Sequence, residues 1–495
     1  MRAVHGLILV ALVVLAGCSG LPGSGTDAPG TTIAETDGAG DRTTGDDTDG
    51  SPDRSTNALA DPGTDRIGWE DGYWANESLS VTNADGLNES ERAAVVARSM
   101  ARVEVIRDQE FESSVPVEII SREEFLAESR PDYTESLRTF DNAKFEALFF
   151  VGEDRDSIAV QRANRGENVL GYYDPRNDTI KLVADGGQPT LASERTLGHE
   201  LVHAMQDQSH NLSAITAETR DERNGQTALI EGEARTVGAA YGNRCGSEWD
   251  CVSAPRSPPS DLHLGIYMLN YFPYDDGPGL VAALRDQGDW GAVDDAFEDP
   301  PESAEQVIYP DRYTPPRDDV ESVTIADDTS DGWTRVRPEA TSAATERADY
   351  GRVGQSGLSA MFAYPALDGS GESVLPRSAV LDADPSVQFE YDLSVTRGWE
   401  GDRLHVYENA DAGADETAYV WRLTWDSPAE AAEFADGYRA LLRYNGASRV
   451  EGNENVFRIP DDRSFGDAFA VRTDGETVTV VNAPTVEDLD AVHQP

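Results

Sequence analysis

The pentapeptide His-Glu-Leu-Val-His at residues 199–203 constrains this chain more than any other part of its sequence. Its two histidines are one helical turn apart, so in a helix both imidazoles leave the same face. Apolar residues flank the motif on both sides, which favours a buried helix. The pattern predicts His199 and His203 as zinc ligands and Glu200 as the base that takes a proton from water. The competing interpretation is two surface histidines on a solvated helix.

A catalytic zinc ion needs three protein ligands and one open position for water. The best candidate for the third ligand is Glu231, in Ile-Glu-Gly-Glu-Ala, on a predicted helix that is far enough from His203 to run antiparallel to the motif helix. Glu233 points about 200° away on the same helix and is the second choice. His263 is a further possibility, whereas His210 is too close in sequence to wrap back easily.

The segment Glu-Gly-x-Ala on a helix after His-Glu-x-x-His resembles the gluzincins, zinc peptidases whose third ligand is a helical glutamate. In several of those families the ligand is the glutamate directly before the glycine, which here is Glu231. The thermolysin-like pattern has an aspartate four residues after the ligand, and this chain has Arg235 there. Asp207, one turn after His203, could orient an imidazole instead. The alternative for Asp207 is a solvated acid.

A second resemblance extends from about residue 90 to residue 313. Four segments look like those of a group of bacterial and archaeal zincin-like proteins. They are the motif with its continuation, then Ala-Leu-Ile-Glu-Gly-Glu-Ala, then Tyr-Asp-Asp-Gly, and then Gly-Asp-Trp-Gly-Ala-Val-Asp. That group ends its segment with Ser-Thr-Glu-Gln-x-x-His-Pro, and here Tyr309 replaces the histidine. In zincins a tyrosine or histidine often donates to the transition-state oxyanion. Tyr309 is therefore a candidate donor, with plain packing as the alternative.

These resemblances imply an α+β fold with a zincin-like catalytic domain at residues 67–314, built from a small sheet, an active-site helix and a glutamate helix. Residues 168–173 and 179–183 are predicted as strands joined by a turn, directly before a motif helix at residues 190–207. In zincins an edge strand lies beside the cleft, and an extended substrate can add to it. Residues 178–183 could be that edge strand; an ordinary strand of the sheet is the alternative.

The remainder of the chain divides into a tether, a linker and a second unit. Residues 19–66 are acidic and rich in Gly, Thr and Ser, with few large apolar residues, which predicts a disordered tether. Residues 315–345 are acidic and weakly periodic, which indicates an interdomain linker. A smaller α+β domain is predicted at residues 346–495. Its segments at 398–402 and 421–434 resemble the final segment of the same zincin-like group.

Acidic residues are spread over the whole chain, 92 of them against 40 lysines and arginines, for a formal charge of -52. Such an excess destabilises a compact chain by self-repulsion at low salt. At molar salt the screening length falls to about 3 Å, which removes most of this repulsion. The composition is therefore typical of an extremely halophilic organism and favours an archaeal source. The sequence has no basic patch to neutralise phosphates, so nucleic acid is not an expected partner.

The N-terminus has the features of an export signal. Arg2 precedes an apolar run at residues 6–17 that is too short to span a membrane comfortably. The run ends in Leu-Ala-Gly-Cys, which resembles a lipoprotein lipobox and implies cleavage before Cys18 and lipid on its sulfur. Residues 1–18 are thus predicted to be a lipoprotein signal peptide, with the mature chain anchored to the outer face of the cell membrane. A plain secreted protein or an uncleaved anchor is the alternative.

Cys245 and Cys251 are the only cysteines besides Cys18. Outside the cell such a closely spaced pair tends to form a disulfide. A zinc site built on this pair would need two further soft ligands, and no other cysteine is free. We therefore expect a small disulfide-closed loop.

Two functions compete for this sequence. The first is a cell-surface zinc metallopeptidase that cleaves a peptide or protein substrate, with Glu200 as general base. The second is a zincin-like surface protein that binds a partner or has a structural role but does not turn over. The intact His199, Glu200 and His203 favour the first, because an inactive site does not need its base. A structural zinc site is a third option, but such sites usually have four Cys or His ligands.

Overall fold

A computed structural model describes residues 61–83, 85–128, 133–184, 190–191, 193–253, 262–338, 348–369, 373–381, 387–409 and 416–494. The predicted signal peptide with Cys18, and the predicted tether as far as residue 60, lie outside these residues. The helices are α1 (Glu89–Arg107), α2 (Arg122–Glu128), α3 (Glu135–Ala147), α4 (Ser157–Asn168), α5 (Glu194–His210), α6 (Arg220–Arg244), α7 (Leu264–Asp275), α8 (Gly277–Glu298), α9 (Glu305–Ile308), α10 (Pro310–Tyr313), α11 (Gly354–Asp368), α12 (Pro428–Tyr444) and α13 (Leu489–Val492). The strands are β1 (Trp69–Glu70), β2 (Tyr73–Trp74), β3 (Val117–Ser121), β4 (Gly171–Asp174), β5 (Thr179–Ala184), β6 (Thr334–Val336), β7 (Trp399–Glu408), β8 (Thr417–Trp425), β9 (Ser448–Arg449), β10 (Val456–Arg458), β11 (Ala468–Asp474) and β12 (Thr477–Ala483).

The α+β class is confirmed, and none of the described helices is long and apolar enough to cross a membrane. The hairpin predicted before the motif helix is β4 and β5, and the motif helix is α5, which begins after Ser193. A three-stranded sheet orders these strands β3-β5-β4, with β3 parallel and β4 antiparallel to β5.

The prediction that residues 178–183 form an edge strand is wrong, because β5 lies in the centre of this sheet and β4 lies at its edge. The register pairs Leu182 with Ile119 on one side and with Gly171 on the other. The strand is buried along nearly its whole length, with only Lys181 partly exposed. The alternation within one segment does not reveal a second partner that comes from far earlier in the chain.

Helix α5 packs between the small sheet and the helices α1 and α6, and this burial explains the apolar flanks of the motif. Leu201 and Val202 are fully buried in the cluster of apolar side chains that joins these elements. Helices α6 and α8 approach very closely, since a Cβ on Gly232 would lie 2.4 Å from the backbone of Gly277. The glycine after Glu231 is therefore required by packing, and any side chain there would push the glutamate helix away from α8.

A seven-stranded antiparallel sheet in the order β6-β7-β8-β12-β11-β10-β9 dominates the C-terminal part of the chain. Helix α12 covers one face, where Phe434 packs on Trp425 with ring centroids 4.8 Å apart. The predicted linker at 315–345 needs correction, because its residues 334–336 are β6 and pair with β7. Val323 and Trp333 are also buried. The acidic composition of the segment made its few apolar residues, such as Val323 and Trp333, inconspicuous in the sequence. Their burial is enough to hold the segment against the sheet.

The predicted domains 67–314 and 346–495 share one apolar core. Phe149, which follows α3, packs against Tyr438 and Phe465 of the C-terminal part at ring-centroid distances of 5.7 and 5.2 Å. The boundary drawn from composition therefore does not separate two cores. Periodicity locates elements along the chain but does not show which sheet a helix covers.

Candidate metal centre

Helices α5 and α6 bring three predicted ligands together. The Nε2 atoms of His199 and His203 are 3.2 Å apart, and each lies close to Oε2 of Glu231, at 3.2 and 3.3 Å. All three residues are buried, with exposed fractions of 2, 1 and 0%. They form the one group of three or more potential ligands in the described residues that contains histidine.

The three atoms form a nearly equilateral triangle of the size that a tetrahedral ion requires. In a tetrahedron the edge is about 1.6 times the bond, so edges near 3.2 Å place an ion about 2.0 Å from each atom, as in zinc sites. Oε2 of Glu231 has only the two imidazole Nε2 atoms beside it and makes no hydrogen bond of normal geometry within the described part of the chain. A buried carboxylate oxygen without a partner is costly, and a cation would satisfy it. The residues present therefore fit a divalent ion with nitrogen and oxygen ligands.

Gln206, which the sequence analysis did not single out, fixes the tautomer of His203. Its Nε2 donates to the carbonyl of Ile230 and to Glu233, both at 2.9 Å, which turns its Oε1 toward Nδ1 of His203 at 2.8 Å. Nδ1 then donates to Gln206, which leaves Nε2 as the ring nitrogen that faces Glu231 and is available to an ion. Oriented histidines of this kind bind metal more tightly.

Glu233, the second choice for the third ligand, supports this arrangement from outside the cluster. Its Oε1 accepts from Nε of Arg107 on α1, and the same guanidinium contacts Asp294 on α8. Glu233 is thereby neutralised by an arginine and is turned toward Gln206. The choice of Glu231 over Glu233 agrees with the direction in which each side chain leaves α6.

Tyr274 on α7 is a second residue that the sequence analysis missed as a site residue. Its hydroxyl donates to Oε1 of Glu231 at 2.7 Å, and its ring stacks on His199 with centroids 6.4 Å apart. This hydrogen bond leaves Oε2 as the oxygen that faces the imidazoles. In the sequence, the Tyr-Asp-Asp-Gly segment shows only the resemblance to the zincin-like group. A tyrosine in an apolar helix gives no other signal of such a role.

The electrostatics of the cluster favour a cation between the three side chains. Burial lowers the pKa of His199 to about 4, whereas Glu231 outweighs burial at His203 and raises its pKa to about 9. Burial would raise the pKa of Glu231, but the two histidines outweigh it and lower that pKa to about 2. The side chains alone thus hold one proton between Glu231 and His203. A divalent ion would release that proton on binding.

Glu200 lies beside the triangle and has no ligand role in it. Neither of its carboxylate oxygens has a hydrogen-bond partner of normal geometry among the described residues. Burial raises its pKa to about 8, with His203 and the backbone N–H of Tyr173 acting in the opposite direction. A Cβ on Gly171 would lie 3.6 Å from Cγ of Glu200, so the edge strand β4 runs directly past this carboxyl group.

The other candidate residues lie in different surroundings. Asp207 accepts from the hydroxyl of Tyr173 at 2.9 Å and from the backbone N–H of Leu212 at 2.7 Å. It therefore neither orients an imidazole nor stands free in solvent. Arg235, at the position where the thermolysin-like pattern has an aspartate, lies over the ring of Tyr271.

The two remaining histidine candidates contribute to packing and capping. His210 stacks on Phe297 with ring centroids 4.3 Å apart and contacts Asp294. His263 is the N-cap of α7, where its Nδ1 accepts from the backbone N–H of Ile266 at 3.2 Å. Neither belongs to the group formed with Glu231.

Tyr309, the candidate oxyanion donor, gives its hydroxyl proton to Asp392 at 2.5 Å and accepts from Nε2 of Gln355 at 3.1 Å. Both partners belong to the C-terminal part of the chain, so this geometry matches the packing alternative. The expected disulfide between Cys245 and Cys251 is present and closes the loop after α6.

Comparison with known proteins concerns the C-terminal part alone. Residues 341–493 match a family described as Domain of unknown function (DUF8575). The match includes strands β7 to β12 but none of the residues in the candidate metal centre. No curated protein and no solved structure matches the chain.

Proposed function

We propose that this chain is a zinc-dependent metallopeptidase with a zincin-like site, in which His199, His203 and Glu231 hold the ion and Glu200 is the general base. The observation that carries the proposal is the buried triangle of ligand atoms with edges of 3.2 to 3.3 Å. Beside it lies the carboxyl group of Glu200, which is not one of the three ligands. The group has three ligands among the described residues, which leaves a fourth position for water. A closed structural zinc site would need a fourth protein ligand.

His199, His203 and Glu231 would hold the zinc ion, which would supply Lewis-acid chemistry by polarising the scissile carbonyl and the attacking water. Glu200 accepts the proton of that water and returns it to the nitrogen of the leaving amine as the C–N bond breaks. Burial suits Glu200 to this task, because it raises the pKa of the carboxyl group to about 8 and so brings it near neutral pH. Gln206 and Tyr274 keep His203 and Glu231 in the orientation that the ion requires.

The edge strand β4 supports a peptide as the substrate. Its outer side carries no further strand in the described sheet, and its residues pass directly beside Glu200. An extended chain could therefore pair with β4 through backbone hydrogen bonds and bring its carbonyl to the site.

We place the enzyme outside the cell, anchored to the outer face of the membrane by lipid on Cys18. The lipobox at residues 15–18 supports the anchor, and the disulfide supports an oxidising compartment. The acidic composition supports activity at molar salt. No nucleic-acid partner is proposed.

The alternative is a zincin-like surface protein with a binding or structural role and no turnover. One observation favours it: the hydroxyl of Tyr309 already donates its proton to Asp392, so the oxyanion donor that the resemblance offered is engaged elsewhere.

The decisive experiment measures zinc content and peptide cleavage at molar salt for the wild type, Glu200→Gln and a control, Glu298→Gln, which changes an exposed glutamate on α8. We expect one zinc per chain in all three, with cleavage reduced by about 10²- to 10⁴-fold in Glu200→Gln alone. Zinc without cleavage in any of the three would support the binding protein. Absence of zinc from the wild type would overturn the ligand assignment.

A further inference from the structure

A second cluster of carboxyl groups lies away from the candidate metal centre, where the segment after α3 meets the large sheet. Glu146 is near the end of α3, Glu153 follows it in a loop, and Asp467 directly precedes β11. One carboxylate oxygen from each lies within 4.8 Å of the others. Glu146 and Asp467 are buried, with exposed fractions of 6 and 3%, whereas Glu153 is exposed at the rim.

The polar groups around this cluster do not neutralise it. Asp467 accepts from Nδ2 of Asn482 at 2.7 Å and shares a hydrogen bond with Glu146, whereas Oε1 of Glu146 has no hydrogen-bond partner within the described residues. Glu416 adds a fourth negative charge nearby. Arg458 is the opposing cation; its Nη2 pairs with the exposed Asp461, and its Nη1 makes no hydrogen bond to the cluster within the described residues. A buried carboxylate without a partner needs either a proton or a cation.

The raised pKa values of the three carboxyl groups agree with a shortage of positive charge around them. Burial, followed by the neighbouring carboxylates, raises the pKa of Glu146 well above its usual range and that of Glu153 to about 7. Burial also raises the pKa of Asp467 to about 6. Near neutral pH Glu146 therefore holds a proton unless a cation replaces it, whereas Asp467 is largely ionised.

We propose that Glu146, Glu153 and Asp467 bind a hard divalent cation, with Ca²⁺ preferred to Mg²⁺. The ligands are oxygens only, which suits these ions and not zinc. Two oxygens bound at about 2.4 Å from a Ca²⁺ ion are at most about 4.8 Å apart, so the observed cluster spans a distance that this ion can bridge. Ca²⁺ also accepts irregular geometry, and the exposed side at Glu153 leaves room for water ligands.

The ion would tie together two parts of the chain that are distant in sequence. The backbone N–H of Glu153 already donates to the carbonyl of Ser464 at 3.2 Å, and Gly152 approaches the same residue so closely that a Cβ would overlap it. Phe149 packs on Phe465 beside this contact. A cation at the carboxyl cluster would therefore stabilise the junction between α3 and β11. This role is independent of the proposed peptidase activity.

The test is equilibrium dialysis of the full chain, saturated with zinc, against radioactive Ca²⁺ at molar NaCl. Glu153→Gln removes one ligand at the rim and should leave the fold intact, whereas Asp462→Asn removes an exposed charge from the neighbouring loop as a control. We expect the wild type and Asp462→Asn to bind one more Ca²⁺ than Glu153→Gln does, with a Kd on the order of 10⁻⁴ to 10⁻³ M. Equal Ca²⁺ binding by all three proteins would overturn the proposal.

Thermal unfolding provides a second readout. Added Ca²⁺ should raise the Tm of the wild type and of Asp462→Asn, and should raise that of Glu153→Gln much less. An equal rise in all three would mean that Ca²⁺ acts only on the general acidic surface, which would also reject the site. Asp467→Asn is a further variant at the buried end, and if it fails to fold, Glu153→Gln still decides the result.

Discussion

Helix α5 contributes to two buried clusters of charged side chains, whose charges are balanced in different ways. At its first turn, Glu194 is bound by Arg98 at 3.0 Å and Arg102 at 2.6 Å, and it also accepts from the hydroxyl of Tyr241 and the backbone N–H of Val252, both at 2.7 Å. About one turn later, in the candidate metal centre, neither Oε2 of Glu231 nor either oxygen of Glu200 makes a hydrogen bond of normal geometry in the described structure. The first cluster contains its own counter-charges and holds helices together, whereas the second has no arginine or lysine partner and could hold a metal ion.

The arginines of α1 produce this difference. Arg98 and Arg102 neutralise Glu194, and Arg107, further along the same helix, neutralises Glu233. No arginine contact of this kind reaches Glu231 among the ion pairs of the described residues. Of the two glutamates in Glu-Gly-Glu, the one left for an ion is therefore the one that α1 does not reach.

Removing the charge from the first cluster should have the largest effect on stability. Glu194→Ala leaves buried Arg98 and Arg102 with only the half-exposed Asp250 as counter-charge, which we expect to lower the free energy of unfolding by about 3–5 kcal/mol. Chemical denaturation at molar salt measures this loss. Glu248→Ala, which removes an exposed partner of Arg244, is the control and should cost well under 1 kcal/mol. Similar losses in both variants would refute the structural role assigned to Glu194.

Zinc should stabilise the second cluster and not the first. At about 100 times its Kd, a ligand that binds only the folded chain adds about 2.7 kcal/mol to the free energy of unfolding. We expect this gain for the wild type and its absence in Glu231→Gln, which lacks the carboxylate at one corner of the triangle. Thermal unfolding with and without zinc compares them. A full gain in Glu231→Gln would show that the ion binds elsewhere.

Loss of the hydrogen bond from Tyr274 to Glu231 should weaken zinc binding without abolishing it. Residues that orient metal ligands typically contribute 10- to 100-fold in affinity, so Tyr274→Phe should raise the Kd for zinc by about tenfold, or about 1.4 kcal/mol. Tyr271→Phe changes the adjacent ring of the same stack and serves as the control. Competition with a chromophoric chelator gives both constants, and equal constants for wild type and Tyr274→Phe would contradict this positioning role.

The last prediction concerns Glu70 and Glu104, a carboxyl pair that the arginines of α1 do not neutralise. Burial, together with the hydrogen bond and charge of Glu104, raises the pKa of Glu70 to about 9. Because this folded-state pKa lies above the usual value near 4.3, the folded chain binds the proton more tightly. The stability from this group is therefore complete below about pH 4 and is lost as pH rises toward 9.

Glu70→Gln keeps a hydrogen-bond donor at all pH values and should reduce the fall in Tm between about pH 5 and pH 9. Glu89→Gln, at an exposed glutamate in the first turn of α1, should keep the wild-type slope. An unchanged slope in Glu70→Gln would mean that Glu70 loses its proton at the usual pH.

Residue types and spacing were sufficient to predict the local parts of the site. The helical repeat placed His199 and His203 on one face, and the Glu-Gly pair pointed to Glu231, all three of which the structure brings together. The disulfide followed from the cysteine count and spacing. The histidine pair depends on contacts within one helix turn, and the disulfide depends on contacts within a short loop. The choice of Glu231 depends on a motif with few alternatives. The order of residues alone therefore specifies these features.

Contacts between distant segments were decided only by the tertiary structure. The sequence did not show that β3 pairs with β5 and makes β4 the edge strand, or that residues 334–336 join the large sheet. It also missed Gln206 and Tyr274, whose roles depend on where α6 and α7 place Glu233 and Glu231. Amino-acid order determined which side chains share a helical face, whereas packing of helices and strands from across the chain determined which of those side chains have an arginine partner and which do not.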